Sequence, residues 1–200
     1  MVGVLGGIAS GKSLVARLLA GADGMVVSAD ELAHEVLDSP AVHERVRERF
    51  GPRAIGPDGR VDRAFLAQAV FDPVSGPELR SELESWTHGP VRDKIRERLD
   101  QARSAGIGTV VMDVPLLLEN DSGHGLAALC DVLVFVDARD EERERRARRE
   151  RGWASSELAR REAAQLSLLE KKQRAHHVID NNSGIADLEQ AVARLRTLLR

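Results

Sequence analysis

Near its start the chain reads GGIASGKS, in which Gly6, Gly11, Lys12 and Ser13 satisfy the spacing G-x-x-x-x-G-K-[ST]. Such a stretch lets successive backbone N–H groups converge on an anion without Cβ obstruction, and a helix starting at its end adds the positive end of its dipole. Gly7, Ile8, Ala9, Ser10, Gly11, Lys12, Ser13 and Leu14 are therefore the candidate cradle for a nucleoside triphosphate. Lys12 would reach the β- and γ-phosphates, and Ser13 would offer its hydroxyl to Mg2+, which takes oxygen ligands and keeps several waters. The competing reading is a plain glycine turn with Lys12 on the surface. The place of the pattern, between a short apolar run and a helical one, favours the cradle.

A triphosphate site leaves the acceptor open, and three further stretches bear on it. In VVSADELAHEV, Asp30 stands where an apolar run gives way to a helical pattern. Open α/β sheets bind ligands at such strand ends; an Asp there can contact an acceptor hydroxyl, cap the helix, or do both. VVMDVPLLLEN closes another apolar run on Asp113, which resembles the Walker B carboxylate that orients Mg2+ directly or through water, with a cap or turn as the alternative. Glu119, at the end of that stretch, is either a ligand contact or a turn acid. Residues 139–151 hold seven arginines and five acids, a mixture that is mostly the solvated face of a helix. Guanidinium groups also suit the spread charge of a transferring phosphoryl group, and Arg146 and Arg149 are the candidates for that contact.

These residues need elements to position them. Short Val-, Leu- and Ile-rich runs at 2–5, 25–28, 109–114, 132–136 and 177–179 read as strands buried on both faces. Helical patterns at 12–19, 31–37, 141–149 and 185–199 follow nearly all of them, and the last repeats Ile185, Leu188, Val192, Leu195 and Leu199 at helical spacing. The alternation predicts an α/β layer fold with a mostly parallel sheet, and the glycine motif between its first strand and helix makes that a three-layer fold of the P-loop NTPase type. Residues 40–104 show only helical patterns, broken by FGPRAIGPDGRVD and THGP, and so read as a helical insertion that holds the acceptor.

Composition sets the outer limits. A chain of 200 residues, 42% hydrophobic, can bury one substantial core with a small appended subdomain. A net charge of −3 provides no basic field, so nucleic acid is not expected as a partner. Cys130 is the single cysteine, which excludes an intramolecular disulfide, and its apolar neighbours suggest a small core residue. With no signal-like start and no apolar run near the ~20 residues of a membrane helix, a soluble, cytoplasmic protein is expected.

In order along nearly the whole chain, GGIASGKS, SAD at Asp30, FGPRAIGPDGRVDRAFLAQAVF, His88 near a proline, DVPLLLE, the arginine run, REAAQ ending at Gln165 and HHVIDNNSG resemble the dephospho-coenzyme A kinase family. The resemblance implies a P-loop core at 1–39, 105–140 and 172–200, a helical acceptor-binding insertion at about 40–104, and an arginine-bearing lid at about 141–171. It implies transfer of the γ-phosphoryl of ATP, with Mg2+, to the ribose 3′-hydroxyl of dephospho-coenzyme A, with no obligate protein partner and no membrane. Asp30 would position or deprotonate that hydroxyl, Arg63 and His88 would lie on the acceptor side with Leu117 and Glu119, and Asn181 or Asn182 with Gly184 would form a loop near the adenine. Three positions depart from the family pattern: Leu5 replaces a threonine, Ala9 replaces a glycine, and Gly89 separates His88 from Pro90.

Overall fold

In the computed structural model, residues 1–72, 74–119 and 125–199 are described. Five strands form one parallel sheet: β1 (Val2–Gly6), β2 (Met25–Ser28), β3 (Val110–Asp113), β4 (Val132–Asp137) and β5 (His177–Asp180). Their order across the sheet is β2-β3-β1-β4-β5. The central strands are the most apolar, and every residue of β1 and β3 is buried, as two covered faces require. The registers place Gly3 beside Met112 and Leu133, and Ser28 beside Asp113.

The chain divides into two compact units. The first comprises Met1–Ser28 and Leu99–Arg200 and contains the sheet. Its helices are α1 (Lys12–Ala20), α6 (Asp140–Arg151), α7 (Ser155–Glu162), α8 (Leu168–Arg174) and α9 (Ile185–Leu198). Val15 and Leu19 of α1, and Leu188, Val192 and Leu195 of α9, close over Val2, Val4, Val111, Val134, Val136 and Ile179. The three-to-four spacing is thus the core face of α9 from Leu188 onward, whereas Ile185, read as part of it, is exposed at the start of the helix. Truncating Leu19 or Leu188 to Ala would cost about 2–5 kcal/mol. Cys130 is half-buried, its thiol donating to the Leu126 carbonyl at 3.7 Å.

The second unit, Ala29–Arg98, is helical. It contains α2 (Ala29–Leu37), α3 (Pro40–Phe50), α4 (Arg63–Val70) and most of α5 (Gly76–Ser104). Val36, Val42, Val46, Ala54, Val61 and Leu66 form its core, with Leu83, Trp86 and Val91 packed against them. FGPRAIGPDGRVD folds as a single helical turn, Pro52–Ala54, and a tight loop closed by an Ile55–Val61 bridge. Asp62 then caps α4, accepting from Ala64 N and Phe65 N at 3.0 Å each.

One expectation fails. THGP does not break the helical pattern, since α5 runs unbroken through Gly89 and Pro90. Pro90 removes the N–H that would bond the carbonyl four residues back, a defect of about 3 kcal/mol in a helix interior. The packing of Trp86 and Val91 on either side of it holds the helix together. Among the described residues, no helix is long and apolar enough to cross a membrane.

Candidate active site

The loop from β1 to α1 is built around unusual backbone angles. Gly11 has φ +92 and heads α1 with no side-chain cap, so the first-turn N–H groups have no side-chain acceptor at the cap. A Cβ at Gly11 would lie 2.4 Å from Asn181 Nδ2, so both angle and space demand glycine there. Ala9 has φ +58, the left-handed region, which costs a non-glycine residue about 1–2 kcal/mol. The alanine found where the family pattern has glycine is therefore tolerated under strain. Lys12 donates from Nζ to the carbonyls of Gly7 at 3.0 Å and Gly6 at 3.3 Å, while Ser13 is exposed in the first turn of α1.

The outer side of this loop is held by residues from far along the chain. Asn181 is 7% exposed and donates from Nδ2 to the Ser10 carbonyl at 2.7 Å. Arg146 donates to the carbonyls of Ser10 at 3.1 Å and Asn181 at 2.8 Å. Arg146 thus bridges the loop to the end of β5, and its nitrogens face carbonyl oxygens. Asn182 accepts from Arg139 N at 2.6 Å, and Gly184 stands at the N-cap of α9. Arg149 is elsewhere, 71% exposed and paired with Glu150 at 2.7 Å.

Arg143 was read from the sequence only as one of the lid arginines and was not chosen for phosphate contact. It is 3% exposed and pairs with Asp140 at 2.7 Å and with Glu162. Burial alone would push its guanidinium down, but the bonds to the two carboxylates outweigh it and hold the group above its ordinary value. The inward face of α6 consists of Arg143 and Ala147. The one alanine in the charged run was the available signal, since it marks a buried stripe whose neighbour one turn earlier is Arg143. Among the described residues, two buried side-chain polar atoms lack a hydrogen-bond partner, Ser10 Oγ and Arg143 Nε. Ser10 belongs to this loop, and the Arg143 guanidinium lies against its Gly7.

At the end of β3, Asp113 is buried beside Ser28. Leu117 is 1% exposed, so its side chain is part of the core and any acceptor contact would fall to its backbone. Glu119 accepts from Lys171 Nζ at 2.7 Å and from Leu166 N at 3.2 Å, and Lys171 also donates to Gln165 at 2.9 Å. The carboxylate thus fastens the segment after β3 to the start of α8. For a divalent cation, Ser13 and Asp113 offer a hydroxyl and a carboxylate, hard oxygen donors that suit Mg2+. Among the described residues no group of three or more His, Cys, Asp or Glu could hold a metal ion. A cation here would depend on phosphate oxygens and water for its remaining ligands, as Mg2+ commonly does.

In the helical unit, Asp30 is the second residue of α2, because the helix starts at Ala29 and not at 31. It therefore lies within the first turn, where the helix dipole favours a carboxylate, and not at the cap position. One turn on is His34, with Arg63 Nη1 2.8 Å from its ring nitrogens. Burial first, and then the Arg63 charge, lower the His34 pKa, against weaker upward pulls from Asp30, Asp38 and Glu31. A neutral imidazole can accept from Arg63. His34 was also missed from the sequence, although its spacing of four from Asp30 puts both on one helix face. His88 is exposed in the middle of α5.

Comparison with known proteins adds the following. The sequence profile described as dephospho-CoA kinase matches residues 1–187. A dephospho-CoA kinase of Corynebacterium glutamicum is 35% identical over 196 residues, covering 97% of this chain and 94% of the relative. One from Geobacter sulfurreducens is 35% identical, covering 98% and 96%. A crystal structure from Thermus thermophilus, 33% identical, superposes with a TM-score of 0.73 and covers 100% of this chain and 97% of the other. A dephospho-CoA kinase structure from Campylobacter jejuni, 22% identical, has a TM-score of 0.68 over 99% and 96%, a likeness of fold.

Proposed function

The chain belongs to the dephospho-CoA kinase family, and from that membership we propose how its residues carry the reaction. The enzyme phosphorylates dephospho-coenzyme A with ATP at the ribose 3′-hydroxyl, the final step of coenzyme A formation. The acceptor oxygen bonds to the γ-phosphorus, the bond from that phosphorus to the β–γ bridging oxygen breaks, and ADP departs. Because the transition state is loose, the protein's contribution is positioning and charge stabilisation.

The observation that carries the site assignment is the loop at residues 6–13, with its glycine-only geometry and first-turn N–H groups left without a side-chain cap. On this reading those N–H groups bind the phosphates, and Lys12 exchanges its carbonyl partners for the β- and γ-phosphate oxygens. Ser13 and Asp113 would hold Mg2+, which when bound neutralises phosphate charge. Arg146 and Asn181 fix the outer side of the loop, and Asn182 and Gly184 shape the neighbouring turn for the adenine. Arg149 reaches phosphate only by leaving Glu150. Arg63 and His88 are assigned to the acceptor, and Glu119 acts on it through the segment it fastens.

Asp30 is the assigned partner of the acceptor hydroxyl. It follows Ser28 by two residues in the chain, and Ser28 is the register partner of Asp113. Its carboxylate aligns the hydroxyl and takes its proton, or passes that proton to solvent. Asp30→Asn nearly preserves size and tests this directly. Coenzyme A formation should fall roughly 100-fold or more, within the span of positioned general bases, while ADP release without acceptor changes little. Equal coenzyme A formation by both proteins would overturn the assignment.

A further inference from the structure

The buried ion pair at the root of α6 lies directly on the phosphate loop. A Cβ built on Gly7 would meet Arg143 Nη1 at 2.8 Å and Leu168 Cδ2 at 3.1 Å, so the guanidinium rests against the bare face of that glycine. Nη1 donates to Glu162 and Nη2 to Asp140, leaving Nε buried without a partner. Asp140 is 79% exposed and its charge is dispersed in water, but Glu162 is only 25% exposed. Glu162 also ends α7, where the negative end of the helix dipole adds to its carboxylate. A half-buried negative charge therefore sits one hydrogen bond away from the group that touches Gly7, beside a loop built to collect anions.

A direct phosphate contact by Arg143 would require it to swing away from Glu162 and leave that carboxylate uncompensated in a poorly screened position, a costly exchange. Staying in place has a different value. We propose that Arg143 is an internal counterion of the phosphate loop, neutralising Glu162 so that it does not repel the nucleotide's phosphates. This rests on the reading of residues 6–13 as the ATP phosphate site. Arg143 is thus a positioning residue that acts through Glu162 and its charge, without touching the nucleotide.

The two halves of the pair are then unequal, which a simple structural brace would not produce. Dissociation constants for adenosine, ADP and ATP should be measured for the full chain and for Arg143→Gln, Glu162→Gln and the double variant. Arg143→Gln is expected to weaken ATP about tenfold, equivalent to about 1.4 kcal/mol, ADP less, and adenosine not at all. Glu162→Gln should bind ATP as tightly as the unaltered chain or more tightly, and adding it to Arg143→Gln should restore most of the loss. Weakening of ATP by Glu162→Gln to the same extent as by Arg143→Gln, or equal losses for adenosine and ATP, would overturn the proposal. If Arg143→Gln does not fold, Arg143→Lys should retain near-normal ATP binding, and Glu162→Gln alone still decides. Lys12→Ala is the control: if it binds ATP undiminished, it is the assignment of the phosphate site that has failed.

Discussion

The phosphate loop and the helical unit handle charge by opposite means. Around residues 6–13 the groups proposed to bind phosphate are backbone N–H donors, and the side chains nearby, Asn181 and Arg146, bond backbone carbonyls that hold the loop's shape. In the unit Ala29–Arg98 the polar contacts run between side chains: Arg63 with His34, Arg49 with Glu82, Lys94 and Arg98 with Glu35. Most of those pairs are exposed and contribute little stability each. A backbone site is stiff and indifferent to small pH changes; a side-chain site is adjustable and titrates. On the proposed reading, the first kind of site serves a common phosphoryl donor and the second a particular acceptor.

The sharpest way to break this contrast is Lys12→Ala. Lys12 Nζ donates to two loop carbonyls and is not part of the apolar core, so folding should survive, while turnover should fall about 100-fold or more, the scale of removing one preorganised charge-stabilising donor. Unchanged turnover in a folded variant would remove the loop from the chemistry. Next in size is Arg146→Ala. If Arg146 supports the loop's shape, steady-state kinetics should show the KM for ATP rising about tenfold with a smaller change in kcat, and the melting temperature should fall, since hydrogen bonds to a charged group contribute about 1.5–3 kcal/mol. A fall confined to kcat would instead make it a transition-state contact. Arg149→Ala should do less than either.

The smallest effect belongs to the helical unit and is a matter of pH. The folded-state pKa of His34 is lowered, so the unfolded chain binds that proton more readily. Its stability contribution is present above the ordinary histidine value of about 6.5 and is lost as pH falls through the lower, folded-state value. Melting temperatures compared between about pH 7.5 and about pH 5.5 should therefore drop more for the unaltered chain than for His34→Gln. Equal drops would place the acid sensitivity in other groups.

The central strands were legible almost to the residue because a run buried on both faces is apolar throughout, as at Val2–Gly6 and Val110–Asp113; β5, at the sheet edge, departs from that reading with Val178 exposed. The backbone of residues 6–13 was legible because glycines at fixed spacing record a backbone requirement, met at Gly11. What escaped depended on tertiary contacts. Gly89–Pro90 looks like a break in any local reading, yet Trp86 and Val91 pack the helix through it. In the run of seven arginines only Ala147 hints at which face of α6 is inward, and the fold then separates buried Arg143 from exposed Arg149. Glu119 and Lys171 meet across 52 positions, a pairing no local pattern contains. At Leu117 the resemblance named a residue whose side chain is part of the core, which leaves its backbone for the expected acceptor contact.

The strand order also has a consequence in time. β1 lies at the centre of the sheet, yet its neighbours β3 and β4 begin at Val110 and Val132. At ribosomal speeds of about 5–20 residues per second, roughly 6 to 25 s separate the synthesis of β1 from that of β4. Within that interval the whole of Ala29–Arg98, with a core of its own, has been made. The nascent chain therefore carries an apolar strand without partners while the helical unit already has everything its core needs. Assembly of the sheet is delayed by its topology, and a strand made early is among the last to be secured.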